Sequence, residues 1–184
     1  MASEVPSTQK LIDAAISVVA TKGLHSLTYR SVAVEAGVAH GLIRHHFGSL
    51  SILLEEALTV VTSRVLEQNA LNNGDSPDIF ERSIDLSSDQ ERKDHAFISE
   101  MLLESRRDPS LKVLVSQLYE QFHQSVRDSL RQRGIRASRG LVILLFAALD
   151  GLVIEEQALD TERDAHLALQ ELRKILQLLA DKER

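Results

Sequence analysis

The chain has 184 residues, of which 43% are hydrophobic and 26% charged, with a net charge of -6. Those proportions describe a water-soluble globular protein of one domain, or of a small module joined to a medium one. The lack of cysteine removes disulfides, thiolate catalysis and Cys-ligated metal centres. The opening residues carry no apolar signal segment, and the longest apolar run, 141–149, falls well short of the roughly 20 residues of a membrane span. We therefore expect a cytoplasmic protein with no membrane partner.

The acidity is unevenly spread. Residues 1–50 hold four Lys/Arg against three Asp/Glu, leaving seventeen against twenty-four for the remainder, and four of the seven His (His25, His40, His45, His46) lie in the first fifty. A neutral-to-basic front on an acidic body is compatible with nucleic acid at one end of the molecule.

Pro6 and Ser7 introduce a first helix over 8–22, with Leu11, Ala15, Val18 and Val19 as its buried stripe and Gly23 closing it. Thr28 reads as the N-cap of a short helix over 29–36 that turns Val32 and Ala33 inward. Gly37 stands where a tight turn needs positive φ, and a second short helix covers 39–47, broken by Gly48 and Ser49. Leu53, Leu54, Leu58, Val61 and Val65 give a longer helix over 50–71.

Residues 72–77, Asn-Asn-Gly-Asp-Ser-Pro, form the clearest loop, and helices follow at 77–86, 89–106, 109–133, 138–159 and 163–181. No segment alternates with period two. The fold class is all-α, with about nine helices. We expect a smaller N-terminal domain over 1–52 and a larger helical domain over 53–184.

The informative stretch is LTYRSVAVEAGVAHGLIRHHFGSLSILL, residues 27–54. Two short helices joined by a Gly-containing turn make a helix-turn-helix. Val38, Ile43 and Phe47 hold the second helix, and its outward face carries His40, Arg44, His45 and His46. A short helix of that kind fits the major groove and turns polar side chains to bases and phosphates.

Gly23, Thr28, Val32-Ala33, Ala36-Gly37-Val38, Gly41, His46-Phe47 and Ser49 together resemble the N-terminal pattern of the TetR family of one-component transcriptional regulators. The resemblance covers about residues 8–58 and is loose beyond. It implies phosphate contacts from Thr28 and His46, base-facing roles for His40, Arg44 and His45, and double-stranded DNA with a palindromic operator as the partner. This sequence departs from the pattern at four places. Ala39 stands where a capping Ser or Thr is usual, Leu42 where a small hydroxyl residue is common, Arg44 where a phosphate-contacting Tyr is usual, and Leu50 where a Lys usually opens the next helix.

The helix over 140–159 is apolar nearly all round and must be covered on more than one side. With a second stripe along 163–181 it reads as half of a homodimer interface, for which Leu141, Leu145, Leu149, Gly151, Leu172, Ile175 and Leu179 are the candidates. Phe97, Met101, Leu102, Tyr119, Phe122, His123, Phe146 and Asp150 are candidates to line a pocket for a small-molecule effector.

No catalytic residue, metal or cofactor is expected. A ferritin-like centre wants two Glu-x-x-His motifs and the chain offers one, Glu120-x-x-His123, while Glu91/His95 and Glu162/His166 read as solvated pairs. The leading expectation is a dimeric repressor released from its operator by an effector. The alternative is a helical interaction protein with a degenerate helix-turn-helix that binds no DNA.

Overall fold

The computed structural model describes residues 7–70, 88–159 and 161–182. The helix expected over 77–86 and the loop at 72–77 lie outside the described residues. In chain order the described elements are α1 (Ser7–Lys22), a 3₁₀ turn (Leu24–Ser26), α2 (Tyr29–Ala36), α3 (Gly41–Phe47) and α4 (Leu50–Ala70). They continue with α5 (Asp89–Glu104), α6 (Pro109–Gln132), α7 (Arg139–Leu159) and α8 (Glu162–Lys182). No strand occurs among the described residues, as the absence of period-two alternation predicts.

Local chemistry sets the helix starts. Ser88 and Glu91 form a reciprocal capping box on α5, with each side chain bonded to the other's backbone N–H. Asp108 accepts from the N–H groups of Ser110 and Leu111 at 2.8 and 3.2 Å and Pro109 takes the first helical position of α6, where its missing N–H is harmless. Ser49 and Ser138 cap α4 and α7 through the N–H groups of Ile52 and Leu141.

The described residues divide into two compact units. One comprises the described residues 7–64 and 88–115; the other comprises 65–70, 116–159 and 161–182. Helix α4 passes from the first to the second near Arg64, and α6 does so after Val115.

In the first unit α1 is the hub, packing on α2 and on α5. Leu11, Ala15, Val18 and Val19 are fully buried as the stripe predicts, and they are joined by Val32, Ile43, Leu53, Val61, Phe97 and Met101. One polar link crosses this core. Arg64 on α4 donates to Asp13 of α1 at 2.6 Å and to Asp94 of α5 at 3.3 Å, while Gln90 donates to Asp94 at 2.7 Å and Gln9 to Asp13 at 3.1 Å. The Asp94 side chain is only 2% exposed. Burial pushes its carboxyl above the usual aspartate value, and the hydrogen bond from Gln90 and the charge of Arg64 pull it back.

His95, next along α5, corrects an expectation. It is not a solvated partner of Glu91: burial lowers the imidazole to about 4, with the Glu91 charge pulling upward. The unfolded chain takes up that proton near pH 6.5, so stability from this group is complete above that value and is lost as pH falls toward 4. The loss amounts to about 3 kcal/mol across that window at about 1.4 kcal/mol per pKa unit. Asp94 and Asp150, both raised, work with the opposite sign at the acid end. We therefore expect denaturant titrations of wild type and His95→Gln to differ in acid slope between pH 6.5 and 4, the variant being flatter; parallel curves would show that His95 titrates normally.

In the second unit the core is built from Val126, Leu130, Ile135, Val142, Leu145, Leu149, Val153, Ala165, Leu169 and Leu176, with α7 and α8 packed side by side. Among the described residues no helix is long and apolar enough to cross a membrane, and no group of three His, Asp or Glu could hold a metal ion.

Candidate nucleic-acid interface and effector site

Helices α2 and α3 are placed by a few specific contacts. The Thr28 hydroxyl accepts from the Ser31 N–H at 3.0 Å, and Ser31 returns the bond to the Thr28 N–H at 2.9 Å. The predicted cap is thus present, in a form worth about 1 kcal/mol. The Ser31 hydroxyl also reaches the Ser26 carbonyl at 2.7 Å, tying α2 to the turn before it, and Ser17 of α1 donates to Glu35 of α2 at 2.7 Å. Gly37 closes α2 at φ 66°, ψ 35°, the left-handed conformation that the turn of a helix-turn-helix demands.

Val38 follows with its N–H on the Ala33 carbonyl, and α3 is then anchored by Ile43 and Phe47, 0% and 7% exposed. The opposite face of α3 carries the expected side chains, His40, Arg44, His45 and His46, all exposed. His40 and Arg44 lie one helical turn apart and so share a face.

The placement adds two facts beyond the sequence reading. Arg44 lies over the ring of Tyr29, 5.3 Å from its centroid, so a cation–π contact holds the guanidinium between α2 and α3. The Thr28 hydroxyl is engaged in its cap, with Oγ1 donating to Ser31 Oγ at 3.0 Å, so a phosphate would have to compete for it. Tyr29 is the residue missed by sequence reasoning. It stands fifteen positions from Arg44, and nothing local signals the pairing.

The expected effector residues fall into two groups. Phe97 and Met101 are fully buried in the first unit, on the stripe Asp94, Phe97, Ile98, Met101 that α5 inserts into that unit's core. They are core residues, because their i, i+3, i+4, i+7 spacing faces packed side chains. Leu102, half-buried, stands beside that stripe.

Tyr119, Phe122 and His123 on α6 and Phe146 and Asp150 on α7 do come together in the second unit. The Phe146 ring centroid lies 5.2, 5.6 and 5.0 Å from those of Tyr119, Phe122 and His123. The Tyr119 hydroxyl donates to Asp150 Oδ2 at 3.3 Å. Burial raises both Tyr119 and Asp150, and for Asp150 the Tyr119 bond opposes it. His123 Nδ1 lies 3.8 Å from Glu120.

The expected dimer residues are also divided. Leu145 and Leu149 are in the chain's own core at 4% exposure, and Leu141, Leu172 and Leu179 pack against it half-buried. Gly151 is half-buried and Ile175 is 52% exposed. The apolar surface left open includes the expected Ile175 and otherwise lies beside the expected stripe: Ile143, Leu144 and Ile154 with Ala147 and Ala148 on α7, and Leu167 and Leu178 on α8.

Comparison with known proteins decides the family. Residues 11–57 match the model for bacterial regulatory proteins of the tetR family, and residues 77–178 match the tetracyclin repressor-like C-terminal domain. The chain belongs to the TetR family. The HTH-type transcriptional regulator BetI of Escherichia coli is 28% identical, over 80% of this chain and 85% of that one. Among solved structures, a TetR-family transcriptional regulator from Rhodococcus sp. superposes with a TM-score of 0.79 at 19% identity, covering 92% of this chain and 97% of that chain. A transcriptional regulator from Saccharomonospora viridis, solved in complex with choline, gives 0.76 at 20% identity, over 93% and 95%. This TetR-family chain is a transcriptional regulator with a helix-turn-helix at its N-terminus.

Its departures from the TetR pattern now have structural content. At Ala39 only the backbone serves: its carbonyl accepts from the Leu42 N–H at 3.1 Å, and His40, already helical in φ and ψ, makes no side-chain cap. The helix expected from 39 accordingly starts at Gly41. Leu50 is half-buried at the first position of α4, immediately after the Ser49 cap.

Proposed function

We propose that this regulator is a homodimeric repressor that grips a palindromic operator through the α3 helices of its two copies and lets go when a small-molecule effector binds its second unit. The observation that supports it most is the helix-turn-helix itself: a short helix anchored by Ile43 and Phe47 and offering His40, Arg44, His45 and His46 to the outside. On this reading His40, Arg44 and His45 meet base edges and Thr28 and His46 approach phosphates. Arg44, steadied over Tyr29, is pre-organised to bind phosphate or the O6 and N7 edge of guanine. Dimerisation follows from the open apolar surface of α7 and α8, and from the need of an operator for two reading heads about 34 Å apart.

An effector acts by binding one arrangement of the dimer better than the other, and can shift the balance only by that difference. The ring cluster around Phe146 and Asp150 is the place for it in this chain. The choline held by the Saccharomonospora relative is in keeping with an effector-binding protein.

Selection from a random duplex library tests this reading. A recovered palindrome whose affinity falls steeply with salt is the expected outcome, and failure of a folded protein to enrich any sequence would overturn it. Leu50→Lys is expected to tighten operator binding and to steepen the plot of log K against log salt by about one unit, because it restores a cation beside the DNA backbone. An unchanged slope would place residue 50 away from phosphate.

A further inference from the structure

We propose that the cluster formed by Tyr119, Phe122, Phe146 and Asp150 is a binding site for an organic cation whose nitrogen is fully or largely alkylated. The proposal deepens the reading of the second unit as effector-binding and rests on it. Its starting point is an unbalanced charge. Asp150 is half-buried, one helical turn from Phe146, and among the described residues its one hydrogen bond is the 3.3 Å contact from the neutral Tyr119 hydroxyl. No Lys or Arg reaches it among the described residues. A carboxylate withdrawn from water without a cation is an expensive arrangement, and a cationic ligand removes the imbalance.

The surroundings select the kind of cation. Phe146 is ringed by Tyr119 and His123 edge-on, with interplanar angles of 86° and 87°, and by Phe122 stacked at 25°. Tyr119 and Phe146 remain half-buried, so ring surface is still accessible, while Phe122 closes the inner side at 6% exposure. Aromatic faces attract a cation through their quadrupole and cover alkyl groups at the same time. Asp150 and the Tyr119 oxygen are the polar acceptors of the cluster, one carboxylate oxygen already accepts the Tyr119 proton, and His123 is turned toward Glu120; N–H groups directed at the rings would lose water without gaining an acceptor. Alkylated nitrogen, with few N–H groups or none, fits what is there. In a plain core these positions need only apolar side chains, as at neighbouring Leu145 and Leu149.

The test uses the full chain and three probes: tetraethylammonium chloride, choline chloride, and 3,3-dimethylbutan-1-ol, the uncharged carbon analogue of choline. Thermal shift and calorimetry are run at constant ionic strength on wild type, Asp150→Asn and Phe146→Leu. Saturable binding of at least one cation, absent for the alcohol, is expected. It should weaken at least about tenfold in Asp150→Asn and several-fold in Phe146→Leu. Asp150→Asn relieves a desolvated charge and should fold at least as well as wild type, so lost binding cannot be ascribed to unfolding. No binding of either cation, equal binding of the alcohol, or unchanged cation affinity in Asp150→Asn would each overturn the site. A parallel gel-shift assay on the selected operator separates the two readings. Cation binding that leaves operator affinity untouched supports the site and overturns release by an effector at this place.

Discussion

Arg64→Met is expected to destabilise the protein by about 3 kcal/mol, the low end of the range for removing one partner of a buried pair. The side chain is 27% exposed, but its partner Asp94 is 2% exposed and cannot turn to water when the guanidinium is gone. Only Gln90 would then satisfy it. The loss should appear as a Tm lower by roughly 10 °C, at about 2–4 °C per kcal/mol for a chain of this size. Asp94→Asn in the same background should restore much of the stability, because a neutral amide needs no cation and its oxygen can still accept from Gln90. A double-mutant cycle therefore checks the assignment. A loss below about 1 kcal/mol would mean that the cluster behaves as an exposed surface pair. Because Arg64 clamps α1 to α5 and α1 packs on α2, operator affinity measured well below the transition should fall as well.

That clamp is absent from any reading of the sequence alone. Asp13 lies 51 positions from Arg64 and Asp94 lies 30 positions from it, and neither spacing has a periodic signature. What periodicity and capping do carry is the helices. The stretches expected over 29–36, 50–71 and 138–159 appear as Tyr29–Ala36, Leu50–Ala70 and Arg139–Leu159, because Thr28, Ser49 and Ser138 each place an oxygen where the first free N–H groups need one. The helix-turn-helix was legible for the same reason, its Gly37 turn and its outward polar face being local properties.

Faces of long apolar helices were harder. On α7 every residue from Leu141 to Leu149 is apolar, so hydrophobicity does not distinguish the row facing the core from the row beside it. Leu145 and Leu149 went to the core and Leu144 and Ala148 stayed outside, a one-residue rotation that only packing decides. Phe97 and Met101 were assigned to a pocket for a related reason. Their apolar character suits either a core or a ligand, and in the structure both are fully buried in the first unit.

Leu144→Arg is expected to convert the proposed dimer to a monomer and to weaken operator binding at least a hundredfold. Leu144 is 65% exposed in the single chain, so a charge there should leave the monomer folded, in contrast to Leu145, which is 4% exposed. In a dimer built on the open surface, the same guanidinium would be buried beside Ala148 and Ile154 or their counterparts on α8, Ile175 and Leu178, with no anion specified to meet it. The operator effect follows from tethering. When one head is bound, its partner searches at an effective concentration near the millimolar range, and a monomer loses that advantage. Sedimentation and binding to a half-site against a full palindrome check both parts: the variant should bind the two DNAs alike, whereas wild type strongly prefers the palindrome. A variant that stays dimeric with unaltered preference would move the interface off this face of α7, and the two copies would have to meet through another surface.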